Sequence, residues 1–375
     1  MSEMRVAYDA GILSSPHLTG IGRYTRQLVE AIAALGTAHR FDLLFPRGGA
    51  IPPPPPGFAA RRCPVRGDMR EDRFHRLWFD LWLPFEIAMR RIDLLHGPSY
   101  LLPRTRRART VVTVHDLAHE KRPEWAPGCS AGFRRRARES ARRADAVIAV
   151  SRATQRDVVE IYGVPEERIE VIHEGVDPSC VPVDDPAALD LFRARRGLTA
   201  PYILSVLSLS PRKNIPGLLR AFARARRTAG LPHLLVVAGK SYGAPGPLRD
   251  AEGLGVADRF RFIDYVPAGD LPLLYSAAEL FVFPSFDEGF GLPPLEALAC
   301  GCPVVASRAG ALPEVLGDAA RYFDPSDEEG MAEALVWGVR EGRSPEARAR
   351  GFRRAREFTW ERAARETVRL YERLC

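Results

Sequence analysis

The sequence has few of the features by which membrane-spanning, secreted or metal-binding proteins are recognised. No window of about 18 residues is free of charge, and the most apolar stretch, 78–89, is interrupted by Asp80 and Glu86. The six cysteines include no Cys-x-x-Cys pair and the eight histidines are scattered, which argues against a zinc cluster or a redox motif. The N-terminus has no apolar signal segment. We therefore expect a cytoplasmic protein with reduced thiols and no metal cofactor.

Lysine is scarce, since Lys121, Lys213 and Lys240 are the only lysines among 54 basic residues. The net charge is +7, and arginine runs at 104–109 and 134–143 place much of the positive charge in the first half. Such a run is usually one solvated face of a helix, and otherwise a patch for anionic lipid or nucleic acid. The runs are not interleaved with aromatic residues that could stack on bases, so a nucleic-acid partner is not expected.

The length of 375 residues predicts two domains, because globular domains usually hold about 100–200 residues. The 46% of hydrophobic and 27% of charged residues are typical of globular proteins and exclude a disordered chain. Short apolar runs alternate with longer amphipathic stretches in both halves of the chain. This order predicts an α/β fold with two parallel, doubly wound sheets.

The predicted elements form two series. In the first half, strands are predicted at 5–8, 42–45, 94–96, 111–114, 146–150 and 170–172, and helices at 24–35, 74–90, 132–143 and 152–162, with Ser151 as an N-cap. In the second half, strands are predicted at 202–207, 234–238, 260–263, 280–283, 304–306 and 321–323, and helices at 215–228, 271–277, 293–300 and 360–374. The proline run 52–56 predicts a loop outside any sheet, and the polar stretch 178–200 a hinge. The domains are therefore predicted at 1–180 and 181–358, followed by a helical segment at 359–375.

In open α/β sheets, ligands bind beyond the carboxyl ends of the strands. Several predicted strands are followed there by glycines, charges or a histidine, namely Gly20 and Gly22, 97–99, His115 and Asp116, 211–214, and 287–291. We expect these residues to line facing edges of the two domains and to form a cleft.

The block 288–296, EGFGLPPLE, is the strongest single motif. Its two glycines permit close approach of the backbone to a ligand, and its two prolines begin a helix whose N-terminus favours an anion. Glu296 is expected in the first helical turn, where its carboxylate could instead only complement the helix dipole. Glu288 precedes the glycines in a loop, so its carboxylate cannot be explained as the partner of a helix dipole.

Arg212 and Lys213 are adjacent cations at the start of a helix, an arrangement suited to a diphosphate. Taken alone, such a pair is an ordinary surface run. The motifs of other nucleotide-binding proteins are incomplete in this sequence. Residues 20–25 lack the third glycine of a dinucleotide fingerprint, and residues 234–241 lack the first glycine of a P-loop. The segment 97–101 lacks the last glycine of a nucleophile elbow, and no Asp-x-Asp is present for a metal-bridged nucleotide.

The chain resembles the retaining glycosyltransferases of family 4, which have the two-domain GT-B fold, and especially the mannosyltransferase-like branch. The resemblance covers nearly the whole chain. It rests on an ordered set of blocks that includes GIGRYTRQLVEAI, HGPSYLLP, TVVTVHDLAHEKRPEW, AVIAVSRATQRDVVEIYGVPEERIEVIHEGVD, SPRKNIPGLLRAF and FPSFDEGFGLPPLEALACGCPVVAS. Leu207 departs from the family pattern, which usually has glycine there, and its larger side chain could narrow the phosphate pocket.

The resemblance also implies roles for individual residues. Arg212 and Lys213 would hold the donor diphosphate beside Ser208, and Glu296 would accept hydrogen bonds from the ribose. Glu288 would hold hydroxyls of the transferred sugar, together with the backbone of Gly289, Phe290, Gly291 and Leu292. Gly20 and Gly22 would let the first loop approach the phosphates, and His115 would stand beside the reacting carbon. His115, Glu288 and Lys213 are thus the predicted catalytic residues.

The implied reaction moves a hexose from a GDP-sugar or UDP-sugar to an acceptor hydroxyl, with retention and without a metal. The acceptor would be a glycan or a lipid-linked glycan, and the enzyme would work in the cytoplasm, at the inner face of the cytoplasmic membrane if the basic first half contacts anionic lipid. Two alternatives stay open. A nucleotide-sugar 2-epimerase has the same architecture, and a basic binding protein would have no activity.

Overall fold

The computed structural model describes residues 3–15, 18, 20–47, 50–66, 76–126, 128–239 and 246–375. The chain divides into two compact units. The first comprises Met1–Lys121, Pro127–Gly175 and Thr359–Cys375, and the second Arg122–Ala126 and Val176–Phe358. The second unit thus begins at Val176, where the sequence predicts 181, and it includes a short segment from the first half.

The first unit contains a parallel sheet with seven strands among the described residues. They are β1 (Arg5–Asp9), β2 (Arg40–Arg47), β3 (Phe58–Arg66), β4 (Leu94–Gly97), β5 (Arg109–Val114), β6 (Ala146–Ala149) and β7 (Ile169–Val171). Their order is β3-β2-β1-β4-β5-β6-β7, so the direction of winding reverses between β1 and β4. Such a reversal opens a crevice at the carboxyl ends of the two strands.

Strand β3 was not predicted from the sequence. It follows directly after the proline run, and Arg61, Arg62 and Pro64 break the apolar alternation that would indicate a strand. The strand is tolerated because it lies at the edge of the sheet and pairs only with β2. Proline and charged side chains are typical of edge strands, where one side of the backbone needs no partner.

The first unit contains five α-helices of six residues or more among the described residues, besides the single turn Ala118–Lys121. They are α1 (Gly20–Ala34), α2 (Leu83–Arg90), α3 (Ala131–Arg143), α4 (Arg152–Asp157) and, from the C-terminus, α13 (Trp360–Leu374), which packs against α1. The segments Arg76–Trp82 and Val158–Tyr162 are π-helical turns that precede α2 and follow α4. The predicted cap is confirmed, since the Ser151 hydroxyl accepts a hydrogen bond from the Thr154 N–H at 3.0 Å.

The second unit contains a parallel sheet with six strands in the part of the chain that the structure describes. They are β8 (Tyr202–Val206), β9 (Leu234–Ala238), β10 (Phe260–Ile263), β11 (Leu280–Phe283), β12 (Val304–Ser307) and β13 (Ala320–Phe323). The order β10-β9-β8-β11-β12-β13 reverses between β8 and β11. The prediction of two doubly wound, Rossmann-like units is confirmed.

The helices of the second unit are α5 (Pro186–Arg195), α6 (Ile215–Ala229), α7 (Gly246–Gly253), α8 (Leu271–Ser276), α9 (Leu292–Ala299), α10 (Leu312–Leu316), α11 (Glu328–Glu341) and α12 (Pro345–Arg356). The first of these corrects the sequence prediction, which placed a hinge over 178–200. Helix α5 buries only Phe192, so its apolar periodicity is weak. The sequence nevertheless contains the signals of a helix start. Asp185 accepts a hydrogen bond from the Ala187 N–H, and Pro186 occupies the first helical position.

No helix within the described residues is both long enough and apolar enough to cross a membrane.

Candidate active site

Arg212, Lys213 and Glu288 form one cluster in the second unit. Lys213 Nζ lies 2.5 Å from Glu288 Oε1, and Arg212 Nη1 lies 3.1 Å from Glu288 Oε2. The Lys213 ammonium also lies 5.1 Å from the centre of the Phe283 ring, within the range of a cation–π interaction. The Lys213 side chain is only 11% exposed and that of Glu288 8%. The cluster is therefore a buried group of charges and not a surface run.

The cluster lies at the point where the second sheet reverses its winding. Arg212 and Lys213 belong to a single helical turn, Pro211–Lys213, between β8 and α6, whereas Glu288 follows β11. The Phe286 N–H donates to the Arg212 carbonyl at 2.9 Å and so ties the two loops together. Strands β8 and β11 are neighbours, which is why residues 75 and 76 positions apart in sequence meet.

Asn214 fixes the direction of the chain after Lys213. Its backbone is left-handed, with φ of 51°, a conformation that few residues other than glycine adopt, asparagine among them. The side-chain amide donates to the Pro325 carbonyl at 2.8 Å and holds this turn in place. The sequence places Asn214 in the 211–214 block but does not indicate this role.

The ionisation of Glu288 reflects two opposed effects. Burial raises the pKa of this carboxyl, because a charged group loses hydration, but the positive charges of Arg212 and Lys213 and the hydrogen bond from Lys213 outweigh burial and lower the pKa below its usual value. Glu288 is therefore an anion at neutral pH. A carboxylate held by two cations can orient hydroxyl groups, but it is a weak nucleophile.

Gly310 is a site residue that the sequence analysis missed. Its φ is +52°, and a Cβ atom built there would lie 2.3 Å from the backbone oxygen of Glu288. The neighbouring Ala311 N–H donates to that same oxygen at 2.9 Å. Any side chain at Gly310 would thus displace Glu288. The residue sits beyond β12, and no local pattern links it to the block 288–296.

The glycine-rich block leads into α9, as predicted, with Gly291 at φ of 103° as the last residue before the helix. The Phe290 side chain points into the unit, where its ring packs edge-on against Phe358 with centres 5.6 Å apart. The prolines at 293 and 294 carry no N–H, so the N–H groups at this helix end are those of Gly291 and Leu292. A sugar contact by the backbone of Gly289, Phe290, Gly291 and Leu292 stays a prediction of the family resemblance.

Glu296 lies deeper in α9 than the sequence predicts. The helix begins at Leu292, and Glu296 is its fifth residue, so it is not in the first turn and does not serve as a dipole partner there. It is 1% exposed, and its Oε2 accepts a hydrogen bond from the Tyr275 hydroxyl at 2.9 Å. Tyr275, on α8, positions this carboxylate.

Leu207 and Ser208 follow β8 on the same side as the charged cluster. The Leu207 side chain is buried within the second unit. The Leu207 backbone oxygen lies so close to Gly239 that a Cβ there would come within 2.0 Å of it. Ser208 is partly exposed, and its carbonyl accepts from the Ser210 N–H at 2.9 Å.

His115 belongs to the first unit, beyond the end of β5. Its Nε2 lies 2.9 Å from the Pro98 carbonyl oxygen, which can only accept, and its Nδ1 lies 3.3 Å from Glu174 Oε1. The ring of Tyr24 packs edge-on against it, with centres 4.7 Å apart. Glu174 is a buried partner of His115 that no sequence pattern indicated.

Gly20 and Gly22 belong to the first turn of α1, which begins four residues earlier than the predicted helix, so they do not lie in a preceding loop. Gly20 has φ of +24°, and a Cβ there would meet no atom within 4 Å. A Cβ at Gly22 would lie 2.9 Å from Leu18 Cδ2. Gly22 therefore serves packing of the helix start, and only Gly20 presents open backbone.

The structure brings Arg212, Lys213 and Glu288 into contact in the second unit and places Glu296 on the helix that follows their loop. His115 is held by partners within the first unit. No group of three histidine, cysteine, aspartate or glutamate side chains within the described ranges could hold a metal ion.

Comparison with known proteins agrees with this geometry. Residues 18–179 match the model described as glycosyltransferase family 4, and residues 190–357 match that of glycosyl transferases group 1. The O-antigen chain mannosyltransferase B of Escherichia coli is 30% identical over 390 residues, which cover 99% of this chain and all of that protein. The chain belongs to glycosyltransferase family 4. It is therefore a glycosyltransferase.

Solved structures show the same fold. The sucrose-phosphate synthase of Thermosynechococcus elongatus has a TM-score of 0.80 and 22% identity, covering 99% of each chain. The Anabaena protein HepE, solved in complex with UDP-glucose, has a TM-score of 0.73 and 17% identity, covering 99% of this chain and all of that one. This family 4 member thus has the GT-B fold, as the sequence predicted.

Proposed function

We propose that this glycosyltransferase moves a hexose, mannose or a close relative, from a nucleoside diphosphate sugar to a hydroxyl of a glycan, with retention at the anomeric carbon. The observation that carries the proposal is the contact of Arg212 and Lys213 with Glu288 at the winding reversal of the second sheet. Two cations suit the diphosphate of such a donor, and a neighbouring carboxylate suits hydroxyls of its sugar.

The choice of donor and product has further support. The mannosyltransferase relative acts in O-antigen chain synthesis by its name, which favours mannose and polysaccharide or glycolipid assembly. The structural neighbour HepE binds UDP-glucose, which favours a nucleotide sugar. The acceptor would be a glycan or a lipid-linked glycan, and the site of action the inner face of the cytoplasmic membrane.

In the proposed reaction the bond from the anomeric carbon to the diphosphate oxygen breaks, and the acceptor oxygen bonds to that carbon on the same face. The departing phosphate oxygen takes the acceptor proton. Arg212 and Lys213 stabilise the negative charge that develops on the leaving group, without a metal. The pairing of Glu288 with both cations argues against its use as a nucleophile in a double displacement. The roles of His115, Glu296, Ser208 and Gly20 stay predictions of the family resemblance.

The first experiment is a thermal-shift panel with GDP-mannose, UDP-glucose and their nucleotides. A ligand at 100 times its Kd adds about 2.7 kcal/mol to the stability of the native state, and we expect a rise in Tm of several degrees for one of the two nucleotides. If none of them moves the transition of the folded protein, the donor site is wrong.

The second experiment separates the transferase from the 2-epimerase. The donor that gives the shift is incubated with and without a mannose-containing oligosaccharide, and the products are resolved by NMR, which reads the anomeric configuration. We expect an α-linked product only with the acceptor. An epimerised donor formed without acceptor would instead identify an epimerase.

A further inference from the structure

The helical segment 76–90 of the first unit has two apolar faces, and the described residues of the chain cover only one of them. One face supplies Trp78, Phe79, Leu83 and Ile87 to the core of the unit. The opposite face exposes a large apolar side chain at every fourth position, 39% of Leu77, 64% of Leu81, 49% of Phe85 and 67% of Met89. Residues about one turn apart lie on the same side of a helix, in the π-helical turn Arg76–Trp82 as in α2, so these four side chains form one apolar stripe.

An arginine-lined cavity borders the same helical segment, since Phe79 and Asp80 belong to its lining. Its charged lining consists of four arginines and two carboxylates, Arg104, Arg135, Arg136, Arg143, Asp80 and Glu139. Asp80 lies on the striped helix, directly before Leu81, and pairs with Arg136 of α3 at 3.7 Å. The cavity therefore borders the helical segment that carries the stripe, and we name the stripe and the cavity together the 77–89 face.

The charges of the cavity do not cancel. Glu139 pairs with Arg104 at 3.1 Å and lies 4.0 Å from Arg135, and Asp80 is shared with Arg136. Four guanidinium groups against two carboxylates leave an excess of two positive charges. The Arg104 and Arg135 side chains are 76% and 74% exposed, so they can turn toward an anion outside the protein.

We propose that the 77–89 face docks on an anionic bilayer, with a lipid phosphate in the arginine cavity and the stripe among the acyl chains beneath it. Helices that lie in a membrane interface combine an apolar face with adjacent basic residues in this way, and guanidinium groups bind phosphate through paired hydrogen bonds. An apolar stripe alone would also suit a protein partner. The cationic cavity beside it favours a surface rich in phosphate.

This inference rests on the proposed function only in its choice of a membrane as partner, and it needs no donor. It extends the contact that the sequence suggested at the basic run 134–143, because Arg135, Arg136 and Arg143 of that run line the cavity. The new part is the apolar stripe of the helical segment 76–90. The donor site of the second unit can therefore be correct or wrong independently of the 77–89 face.

The test is co-sedimentation of the full chain with vesicles of phosphatidylcholine alone or of phosphatidylcholine and phosphatidylglycerol in equal parts. We expect binding to the anionic vesicles that salt weakens. The triple variant Leu81→Ser/Phe85→Ser/Met89→Ser should bind at least about tenfold more weakly, and Arg104→Gln/Arg135→Gln should lose the preference for anionic lipid. Each variant is checked by circular dichroism and by its nucleotide thermal shift, which should be unchanged.

Two controls match the variants in chemistry. Leu191→Ser removes a leucine that is 62% exposed on α5 of the second unit, and Arg220→Gln/Arg224→Gln removes the same charge from α6. Both should bind vesicles as the parent does. Equal binding of the parent to neutral and anionic vesicles, or equal losses in variants and controls, would overturn the proposal. The proposal would also be overturned if the parent does not bind vesicles but forms a dimer in light scattering, and if the triple variant abolishes that dimer.

Discussion

The hydroxyl of Tyr371 lies 2.6 Å from Nδ1 of His96, a residue 275 positions earlier in the chain. Tyr8 meets the same hydroxyl at 2.6 Å, and Nε2 of His96 meets the Thr113 hydroxyl at 2.8 Å. Burial, with a smaller effect of His115, lowers the pKa of His96 to about 3, so the ring is neutral and one of its nitrogens donates while the other accepts. This chain of bonds joins α13 to β1, β4 and β5.

Replacement of Tyr371 by phenylalanine tests this network. The change leaves the buried Nδ1 of His96 without its hydrogen-bond partner, and an unsatisfied buried polar group costs about 1–3 kcal/mol. We expect a loss of that size in the free energy of unfolding by urea. Tyr265→Phe, at a half-exposed position, should cost less than about 0.5 kcal/mol. Equal effects of the two variants would mean that the Tyr371 hydroxyl contributes nothing.

Asp9 makes stability depend on pH. Burial raises its pKa to about 6, although hydrogen bonds from the Gly11 N–H and the Trp78 indole oppose the effect. The unfolded value is about 3.9, so the folded state binds the proton more tightly. The protonated Asp9 contributes up to about 3 kcal/mol to the free energy of unfolding. This contribution is complete below about pH 4 and is lost as the pH rises through 6.

Asp9→Asn removes this titration and keeps the oxygen that accepts from Trp78. We expect the variant to be about 2 kcal/mol more stable than the parent at pH 8 and equal to it near pH 4, as measured by urea unfolding. His96 titrates in the opposite sense, because its folded pKa is lowered and its contribution is lost as pH falls below about 6.5. His96 is common to both proteins and cancels in their difference. A difference that does not change with pH would refute the assignment.

Gly310→Ala tests the support of Glu288. The new Cβ would clash with the Glu288 backbone oxygen, so we expect the nucleotide-sugar thermal shift to disappear. Gly36→Ala is the matched control, since Gly36 has φ of +61° and a Cβ there meets nothing within 4 Å. Both variants should lose about 1–2 kcal/mol from the left-handed backbone, but Gly36→Ala should keep the shift. A retained shift in Gly310→Ala would show that this contact does not hold the site.

Lys213→Ala tests stabilisation of the leaving group. The charge on the diphosphate grows as the sugar bond breaks, so kcat should fall by about 10²–10³ and more than the donor KM rises. Lys213→Arg should recover only part of the rate, because the planar guanidinium cannot replace a point charge beside Arg212.

The control for Lys213 is Arg220→Ala, which removes a cation from the same unit, on the surface of α6, where it pairs with Glu328. Its kcat should be near that of the parent. Lys240, a third lysine that could serve the same purpose, lies outside the described residues. Near-native kcat in Lys213→Ala, or an equal loss in Arg220→Ala, would remove Lys213 from the mechanism.

Most strands of the two sheets could be predicted from the sequence, because the central strands are buried on both faces and appear as short apolar runs. Strands β8 and β11 are examples. The residues that follow them were expected at one edge of the sheet, because the carboxyl ends of parallel strands lie at the same edge. The candidate residues Arg212, Lys213 and Glu288 could be named from this rule and from the resemblance to family 4.

Tertiary structure alone decided which of these residues touch. The pairing of Glu288 with both cations and the close approach of Gly310 depend on loops that leave different strands, and no local pattern encodes such distances. Edge strand β3 escaped prediction because a strand paired on one side tolerates the charges and proline that hide it. The helix that carries Leu77 and Met89 was predicted, but not the exposure of one of its apolar faces, since periodicity shows that a side chain is apolar but not whether another element covers it.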